Sequence, residues 1–282
     1  MNILVFGKTG QVARALQARA QVTAVGRDKA DLSDPAACAA AIAGHTPDVV
    51  INAAAYTGVD AAESDRAQAE LVNAQAPCAM AQACASLGIP LVHISTDYVF
   101  PGGGEMPWKP VDAVGPLGVY GATKLAGEEA VRAAGGVHVI LRTSWVFSAH
   151  GSNFVKTMLR LSETRDALNV VADQIGGPTP ADAIAAACLE IANQLCANPD
   201  KSGTYHFAGT PDTSWCGFAQ EIFARARRDV AVTGIPTSDY PTPAVRPLNS
   251  RLDCSSTTTC FGIARPDWRA ELNRVLKDLR AA

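Results

Sequence analysis

The sequence predicts an α/β fold, a doubly wound parallel sheet with a smaller carboxyl-terminal lobe. Three observations predict it. Short runs rich in Val, Ile and Leu recur at residues 2–6, 22–25, 48–52, 90–95 and 138–143. None alternates strictly, which is the pattern of strands buried on both faces. Longer helical patterns separate them, and strand–helix alternation implies right-handed βαβ units.

Each element has a local reason. Residues 10–20 carry Val12 and Leu16 on one helix face, one turn apart. Asp34 before Pro35 reads as a cap with proline at the first helical position, opening a helix over 35–43. Residues 65–86 form a long alanine-rich helical pattern, expected to bend or restart at Pro77 and to stop at Gly88. A helix over 119–134 follows the fourth strand. The Gly- and Pro-rich stretch 101–118 reads as a long loop at the carboxyl edge of the sheet, of the kind that forms lids or binding loops.

After about residue 147 the pattern is mixed. Residues 153–165 and 213–228 look helical, and 180–195 is expected to return to the main sheet. Residues 240–247 hold Pro241, Pro243 and Pro247 and are expected to be ordered by docking. The predicted division is a main domain of 1–147 plus about 170–208, and a substrate-binding lobe of about 148–169 plus 209–282.

Composition narrows the partners. Lys and Arg total 24 against 27 Asp and Glu, a balance with no electrostatic reason to bind nucleic acid or an anionic membrane. The apolar start is too short for a signal-peptide core, and no run approaches the ~20 residues that span a bilayer. The expected compartment is the cytoplasm. The 8 cysteines form no C-x-x-C pair and lack zinc-type spacing, so they read as small buried hydrophobes and no metal site is assigned.

Gly7-Lys8-Thr9-Gly10-Gln11-Val12-Ala13 joins the first strand to the first helix. Gly7 allows a tight turn, Gly10 lets a pyrophosphate approach the backbone, and the helix N-terminus offers unpaired N–H groups. The spacing is G-x-x-G-x-x-A, with Ala13 in the third glycine's place. Together with the strand pattern it makes the sheet Rossmann-type. The second strand ends in Val25-Gly26-Arg27, without the carboxylate that holds an NAD ribose. Arg27 would welcome a 2′-phosphate, so NADPH is expected over NADH, with NADH still possible. The alternative is that Arg27 is a solvated surface residue.

Tyr120 and Lys124 stand at i and i+4 and so share a helix face. An ammonium beside a phenol favours the phenolate and lowers a value that is ordinarily about 10. Lys124 is therefore expected to face Tyr120 and also to hold a cofactor ribose. Thr96, at the carboxyl end of the fourth strand, is placed to donate to a substrate oxygen. Tyr-x-x-x-Lys alone is common; glycine turn, strand-end hydroxyl and Tyr/Lys pair in this order are more specific.

Several stretches extend the pattern: 1–12, Asn-Ala-Ala-Ala-Tyr-Thr at 52–57, Ser-Thr-Asp-Tyr-Val-Phe at 95–100, Val-Tyr-Gly-Ala-Thr-Lys-Leu-Ala-Gly-Glu at 119–128 and Arg-Thr-Ser-Trp-Val-Phe at 142–147. Asn153-Phe154, Asp173-Gln174 and Arg246-Pro247 with Asn249-Ser250-Arg251-Leu252 complete the set. On these the whole chain resembles the dTDP-4-dehydrorhamnose reductase family of extended short-chain dehydrogenases. The resemblance implies hydride transfer from NAD(P)H to the C4 keto carbon of dTDP-4-dehydro-L-rhamnose. It implies Tyr120 as proton donor, Lys124 as its partner and Thr96 as a tuner of the carbonyl contact. Gly10, Gln11 and Val12 would hold the pyrophosphate, Asp31 and Leu32 the adenine side, and Ala55, Tyr56 and Thr57 the next cofactor loop. Thr96, Asp97 and Trp145 match substrate contacts. Some members are similar to magnesium-bridged dimers using a glutamate near Ala15; Arg14-Ala15-Leu16 offers none, so neither magnesium nor that dimer is expected. The assembly is left as a monomer or homodimer.

Other readings stand beside these. Trp145 serves as a sugar or base platform or as core. Arg246 and Arg251 grip a nucleotide diphosphate or pair at the surface. Asn73, mid-helix, demands partners, either in the backbone near the cofactor or elsewhere. His93 and His138 read as core residues. The rival activities are a nucleotide-sugar epimerase or 4,6-dehydratase of this fold, or a non-catalytic NADP-binding regulatory subunit. Tyr98 stands where dehydratases resemble Thr-Asp-Glu, and the intact Tyr120/Lys124 pair has no use in a pure sensor.

Overall fold

The computed structural model describes residues 1–281. Chain order begins β1 (Ile3–Phe6), α1 (Gln11–Arg19), β2 (Thr23–Val25), α2 (Pro35–His45) and β3 (Val49–Asn52). Then come α3 (Val59–Ala62), α4 (Arg66–Glu70), a π-helical turn (Leu71–Gln75) and α5 (Ala76–Leu87). Next are β4 (Leu91–Thr96), α6 (Val119–Ala133) and β5 (His138–Thr143). The last third holds β6 (Val146–Phe147), α7 (Phe154–Leu161), β7 (Ala167–Val171), β8 (Ile175–Gly176), β9 (Thr179–Pro180), α8 (Ala181–Ala197) and β10 (Gly203–His206). It closes with β11 (Thr213–Ser214), α9 (Trp215–Ala226), β12 (Ala231–Ile235), β13 (Asn249–Ser250), α10 (Ser255–Phe261) and α11 (Trp268–Ala281).

The main sheet has six strands in the order β10-β5-β4-β3-β1-β2, all parallel. The sequence reading placed its first five strands; β10 is the sixth, which the half-buried run Gly203–His206 did not announce. Strand order reverses between β1 and β3, so the loops after them diverge and leave a crevice at their carboxyl ends. One face of the sheet packs on α1 and α8, with Leu16, Ile184 and Ile191 fully buried. The other packs on α2, α5 and α6, with Ile42, Met80 and Val131 in its core.

A separate core forms from Phe147, Val155, Leu168, Val170, Phe218 and Trp268. β7 pairs with β12, so packing in this second core continues beyond residue 170, and the chain rejoins the main sheet at α8. Residues 101–118 do not stand free. Trp108 stacks on Phe100 at 4.9 Å, its indole donates to the Asn249 carbonyl at 3.1 Å, and its backbone pairs with Arg251 and Asp253. Residues 240–247 are docked through Asp60, which accepts from Ala244 N at 3.1 Å and from Arg246 at 2.7 Å.

The expected break of the 65–86 helix at Pro77 needs correction. The chain leaves α-helical geometry upstream, in the Leu71–Gln75 turn, and Pro77 sits in the first turn of α5. Proline has no N–H to give the Asn73 carbonyl, and it stands where one is not needed. That carbonyl lies so close to Gly127 of α6 that a Cβ there would sit 2.0 Å from it. The irregular turn and a side-chain-free position let α6 pack directly against the Leu71–Gln75 turn.

Candidate active site

A cleft of about 1150 Å³ opens at the switch point. Its floor is the glycine turn. Gly7 takes φ +109°, and a Cβ there would crowd the Ala53 carbonyl at 3.2 Å, so the β1–α1 turn needs glycine. Gly10 caps α1 without a side-chain bond, leaving first-turn N–H groups for an anion. Gln11 ties this end to the second core: its Oε1 accepts from Ser148 Oγ and from Asn153 Nδ2, each at 2.9 Å. Gly7, Gly10, Gln11, Val12, Arg27, Asp31, Leu32, Ala55 and Thr57 all line the cleft. Arg27 is exposed at the tip of β2. Asp31 accepts from Ser33 N at 2.9 Å, and that bond holds its carboxyl below the usual range. These groups fit a dinucleotide: an uncapped helix end for the phosphates and a cation at the ribose edge.

Tyr56 is placed differently. Its ring is not part of the cleft wall, and its hydroxyl donates to Asp65 at 3.2 Å. Its backbone is held by Asn73, which accepts from Tyr56 N at 2.9 Å and donates to Tyr56 O and to Thr123 Oγ1 at 3.1 Å each. Asn73 therefore belongs to the support of the β3 loop.

Tyr120, Lys124, Thr96, Asp97 and Trp145 all face the same cleft. Gly121 makes the α6 position possible, because a Cβ there would sit 2.2 Å from the Tyr98 carbonyl. Tyr120 meets Tyr98 edge-on at 5.4 Å. Desolvation pushes its phenol up to about 12, against the pull of the Thr96 hydroxyl. Thr96 Oγ1 donates to Asp97 Oδ1 at 3.1 Å and accepts from Tyr98 N at 3.2 Å. Asp97 is 3% exposed, its Oδ2 has no partner, and burial pushes its carboxyl up to about 6. Thr143 Oγ1, opposite Thr96 across β4 and β5, is likewise buried and unpartnered. Both residues line the cleft, while these two oxygens are themselves buried.

The expected Lys124–Tyr120 relationship is corrected. Lys124 Nζ donates to the Ile94 carbonyl at 2.7 Å and lies 3.4 Å from His93 Nε2. Tyr120 is raised rather than lowered because desolvation outweighs its Thr96 hydrogen bond. Lys124 is itself 2% exposed, and burial pulls it down to about 8.

Trp145 takes φ +49° and stacks on Trp215 at 3.6 Å and 12°. One indole face is thus already covered, which the open-platform expectation did not foresee. Trp215 itself lines the cleft and escaped the sequence reading, because α9 lies 70 residues beyond Trp145 with no motif linking them. Arg246 and Arg251 are not part of the cleft wall: Arg246 pairs with Asp60 at 2.7 Å, and Arg251 Nη1 donates to Asn249 Oδ1 at 3.1 Å. Among the described residues no cluster of His, Cys, Asp and Glu is arranged for a metal ion, and no helix is long and apolar enough to cross a membrane.

A parallel sheet of this order, with a helix-borne tyrosine and lysine at its switch-point cleft, defines the extended short-chain dehydrogenase class. Residues 1–281 match the family described as RmlD substrate binding domain, and the chain belongs to that family. It is 44% identical to a dTDP-4-dehydrorhamnose reductase of Sinorhizobium fredii, covering 98% of this chain and 97% of that one. It is 45% identical to the enzyme of the same name from Burkholderia thailandensis, covering 99% of each. Among solved structures, a dTDP-4-dehydrorhamnose reductase from Clostridium acetobutylicum superposes with a TM-score of 0.92 at 35% identity, covering 99% of this chain and 100% of that chain. The Bacillus anthracis enzyme in complex with NADP gives 0.91 at 32% identity, with the same coverage.

Proposed function

We propose that this protein is an NADP(H)-dependent oxidoreductase that reduces the C4 keto group of dTDP-4-dehydro-L-rhamnose to dTDP-L-rhamnose, the last step in making that sugar donor. The observation that carries the reading is the shared cleft: one wall holds Tyr120 beside Thr96, and the floor is a glycine turn built for phosphates. The relatives' names supply the sugar; the geometry supplies the chemistry.

The nicotinamide cofactor, when bound, supplies the hydride. Gly7, Gly10, Gln11 and Val12 would hold its pyrophosphate, Arg27 would meet a 2′-phosphate, and Asp31 and Leu32 would line the adenine side. Ala55 and Thr57 continue this wall, with Tyr56 contributing backbone. Tyr120 gives its proton to the ketone oxygen, and a phenol pushed up to about 12 is fully protonated at neutral pH, ready to donate. Thr96 donates to the same oxygen once its hydroxyl hydrogen turns from Asp97 Oδ1. Lys124, in its charged form, offsets the phenolate left behind. Asp97 accepts from a sugar hydroxyl, and the Trp145–Trp215 stack borders the sugar or base. Arg246 and Arg251 reach a diphosphate only by giving up Asp60 and Asn249. The reading implies a cytoplasmic enzyme, a monomer or homodimer, acting on a nucleotide sugar.

The test is NADPH oxidation against a panel of dTDP-, UDP- and GDP-linked 4-keto sugars. Stoichiometric oxidation with the dTDP-linked rhamnose precursor is expected. Interconversion of sugars with retained NAD and no net oxidation would replace this reading with an epimerase.

A further inference from the structure

Trp145 sits in a backbone conformation that a bulky side chain rarely adopts, the left-handed region at φ +49°. Such a conformation persists only where neighbours hold it. Two contacts hold this one. Thr179 N donates to the Trp145 carbonyl at 3.1 Å, which ties the backbone to β9. The indole stacks on Trp215 at 3.6 Å and 12°. Both tryptophans are half-buried and both line the cleft.

Trp215 is anchored away from the main sheet. It is the first residue of α9, whose cap Ser214 accepts from Gly217 N at 2.9 Å. Phe154 of α7 tilts against it at 4.6 Å and stacks on Phe218 at 5.6 Å. Phe218 is fully buried in the second core. An aromatic row thus runs from the cleft wall into the smaller lobe. A plain core role does not describe Trp215: Trp268, which serves that role, is 1% exposed, whereas Trp215 stays partly open on the cleft.

β8 supplies a second constraint. A Cβ at Gly176 would meet Trp145 Cε2 at 3.0 Å and Cζ2 at 3.2 Å, so glycine there leaves room for the indole. β8 pairs with β11, the strand that leads into Trp215, with Thr213 opposite Gly176. One strand pair therefore carries both the ring that Trp145 stacks on and the gap that Trp145 fills.

We propose that Trp215 is the positioning residue for Trp145: it covers one face of that indole and, with Gly176, fixes how Trp145 projects into the cleft, so that the second core sets the wall a nucleotide sugar meets. This rests on the reading of the cleft as a nucleotide-sugar site. A wall held in place before the sugar arrives spares the cost of ordering it on binding. Neither indole exchanges a proton with the ketone, so loosening the wall weakens binding and leaves the chemical step alone.

The test follows the indole N–H resonances of protein carrying isotope-labelled tryptophan. The chain has 4 tryptophans, so each resonance is assigned by a single replacement. Trp108, pinned to the Asn249 carbonyl, reports an intact fold. In Trp215→Leu the Trp145 resonance is expected to shift as the stacked ring is lost, with Trp108 unmoved. KM for the dTDP-linked keto sugar is expected to rise about three- to tenfold, with kcat within about twofold and the KM for NADPH unchanged. Trp215→Phe keeps a stacking ring and is expected to recover most of the KM. An unmoved Trp145 resonance in Trp215→Leu, a shifted resonance with unchanged KM, or a loss confined to kcat would each overturn the proposal. If Trp215→Leu does not fold, Gly176→Ala presses on the same indole from β8; the same shift and the same rise in KM are expected, and the absence of either is fatal to the idea. The resonance requires no turnover. Were no keto sugar reduced, the reductase reading would fail while the Trp145 shift still decided the positioning.

Discussion

Glu128 of α6 and Arg142 of β5 face one another as a two-pronged ion pair sealed inside the protein, with N–O distances of 2.9 and 2.6 Å. Neither is more than 2% exposed. Ser95 Oγ donates to the same carboxylate at 2.6 Å, and Arg142 also lies 4.9 Å over the Phe100 ring. The pair thus joins the helix that carries Tyr120 to the sheet and to the loop pinned by Trp108. Glu128→Gln leaves a buried guanidinium short of its counter-ion and is expected to cost about 3–5 kcal/mol in urea unfolding. Arg142 and Ser95 hold the Glu128 carboxyl below its ordinary value despite burial. A lowered folded-state value means the contribution is complete above the unfolded carboxylate range and is lost as pH falls through the folded value. Wild-type stability should therefore drop more steeply on acidification than that of Glu128→Gln.

Gly127→Ala tests the close approach of α6. The added Cβ would meet the Asn73 carbonyl at 2.0 Å, far inside contact distance. Backbone on both sides must shift, at an expected cost of about 1–3 kcal/mol. Tm should fall, and activity with it, because α6 carries Tyr120. An unchanged Tm would show that the helix has room the structure does not provide.

Tyr120→Phe removes the proton donor while keeping the ring against Tyr98. The expected loss in kcat is about 10²–10⁴-fold, with NADPH affinity, read by fluorescence titration, little changed. Full activity in this variant would remove Tyr120 from the mechanism.

Arg27→Ala tests cofactor choice. A charge-assisted contact to a 2′-phosphate is worth about 1.5–3 kcal/mol, so NADPH kcat/KM should fall by about ten- to a hundredfold while NADH is little affected. Equal values for both cofactors in wild type, unmoved by the substitution, would make Arg27 a surface residue only.

Asp97 sits at the opposite sign from Glu128. Burial raises its carboxyl to about 6, above its unfolded range. Its favourable contribution is complete only at low pH and is lost as pH rises through about 6, after which a buried charge strains the site. Asp97→Asn should therefore raise stability at neutral pH by about 1–3 kcal/mol, with little gain at about pH 4, and lower kcat/KM for the keto sugar. A variant less stable than wild type at neutral pH would show that the hydrogen bonds of Ser250 and Thr96 to the carboxylate outweigh its burial.

Much of this architecture is written locally. Apolar runs announced β1 to β5 because strands buried on both faces are apolar at most positions. Asp34-Pro35 opened α2, with Asp34 Oδ1 accepting from Ala37 N at 3.1 Å. Gly7 marked the phosphate turn because its backbone conformation, φ +109°, disfavours other residues, whereas Gly10 takes an ordinary extended φ of −66°. The four-residue spacing set Tyr120 and Lys124 on one helix face. What spacing could not carry is what each polar atom meets. His93 reads as one more core residue until β4 lies under α6, and only that packing gives Lys124 a partner other than Tyr120. Trp215 has no local mark either; it reaches Trp145 because the second core folds α9 back over the cleft. Periodicity records which side of an element is buried, a property of neighbours in the chain. Hydrogen-bond direction, ion pairing and desolvation depend on atoms brought together from distant segments, and those the tertiary structure alone decided.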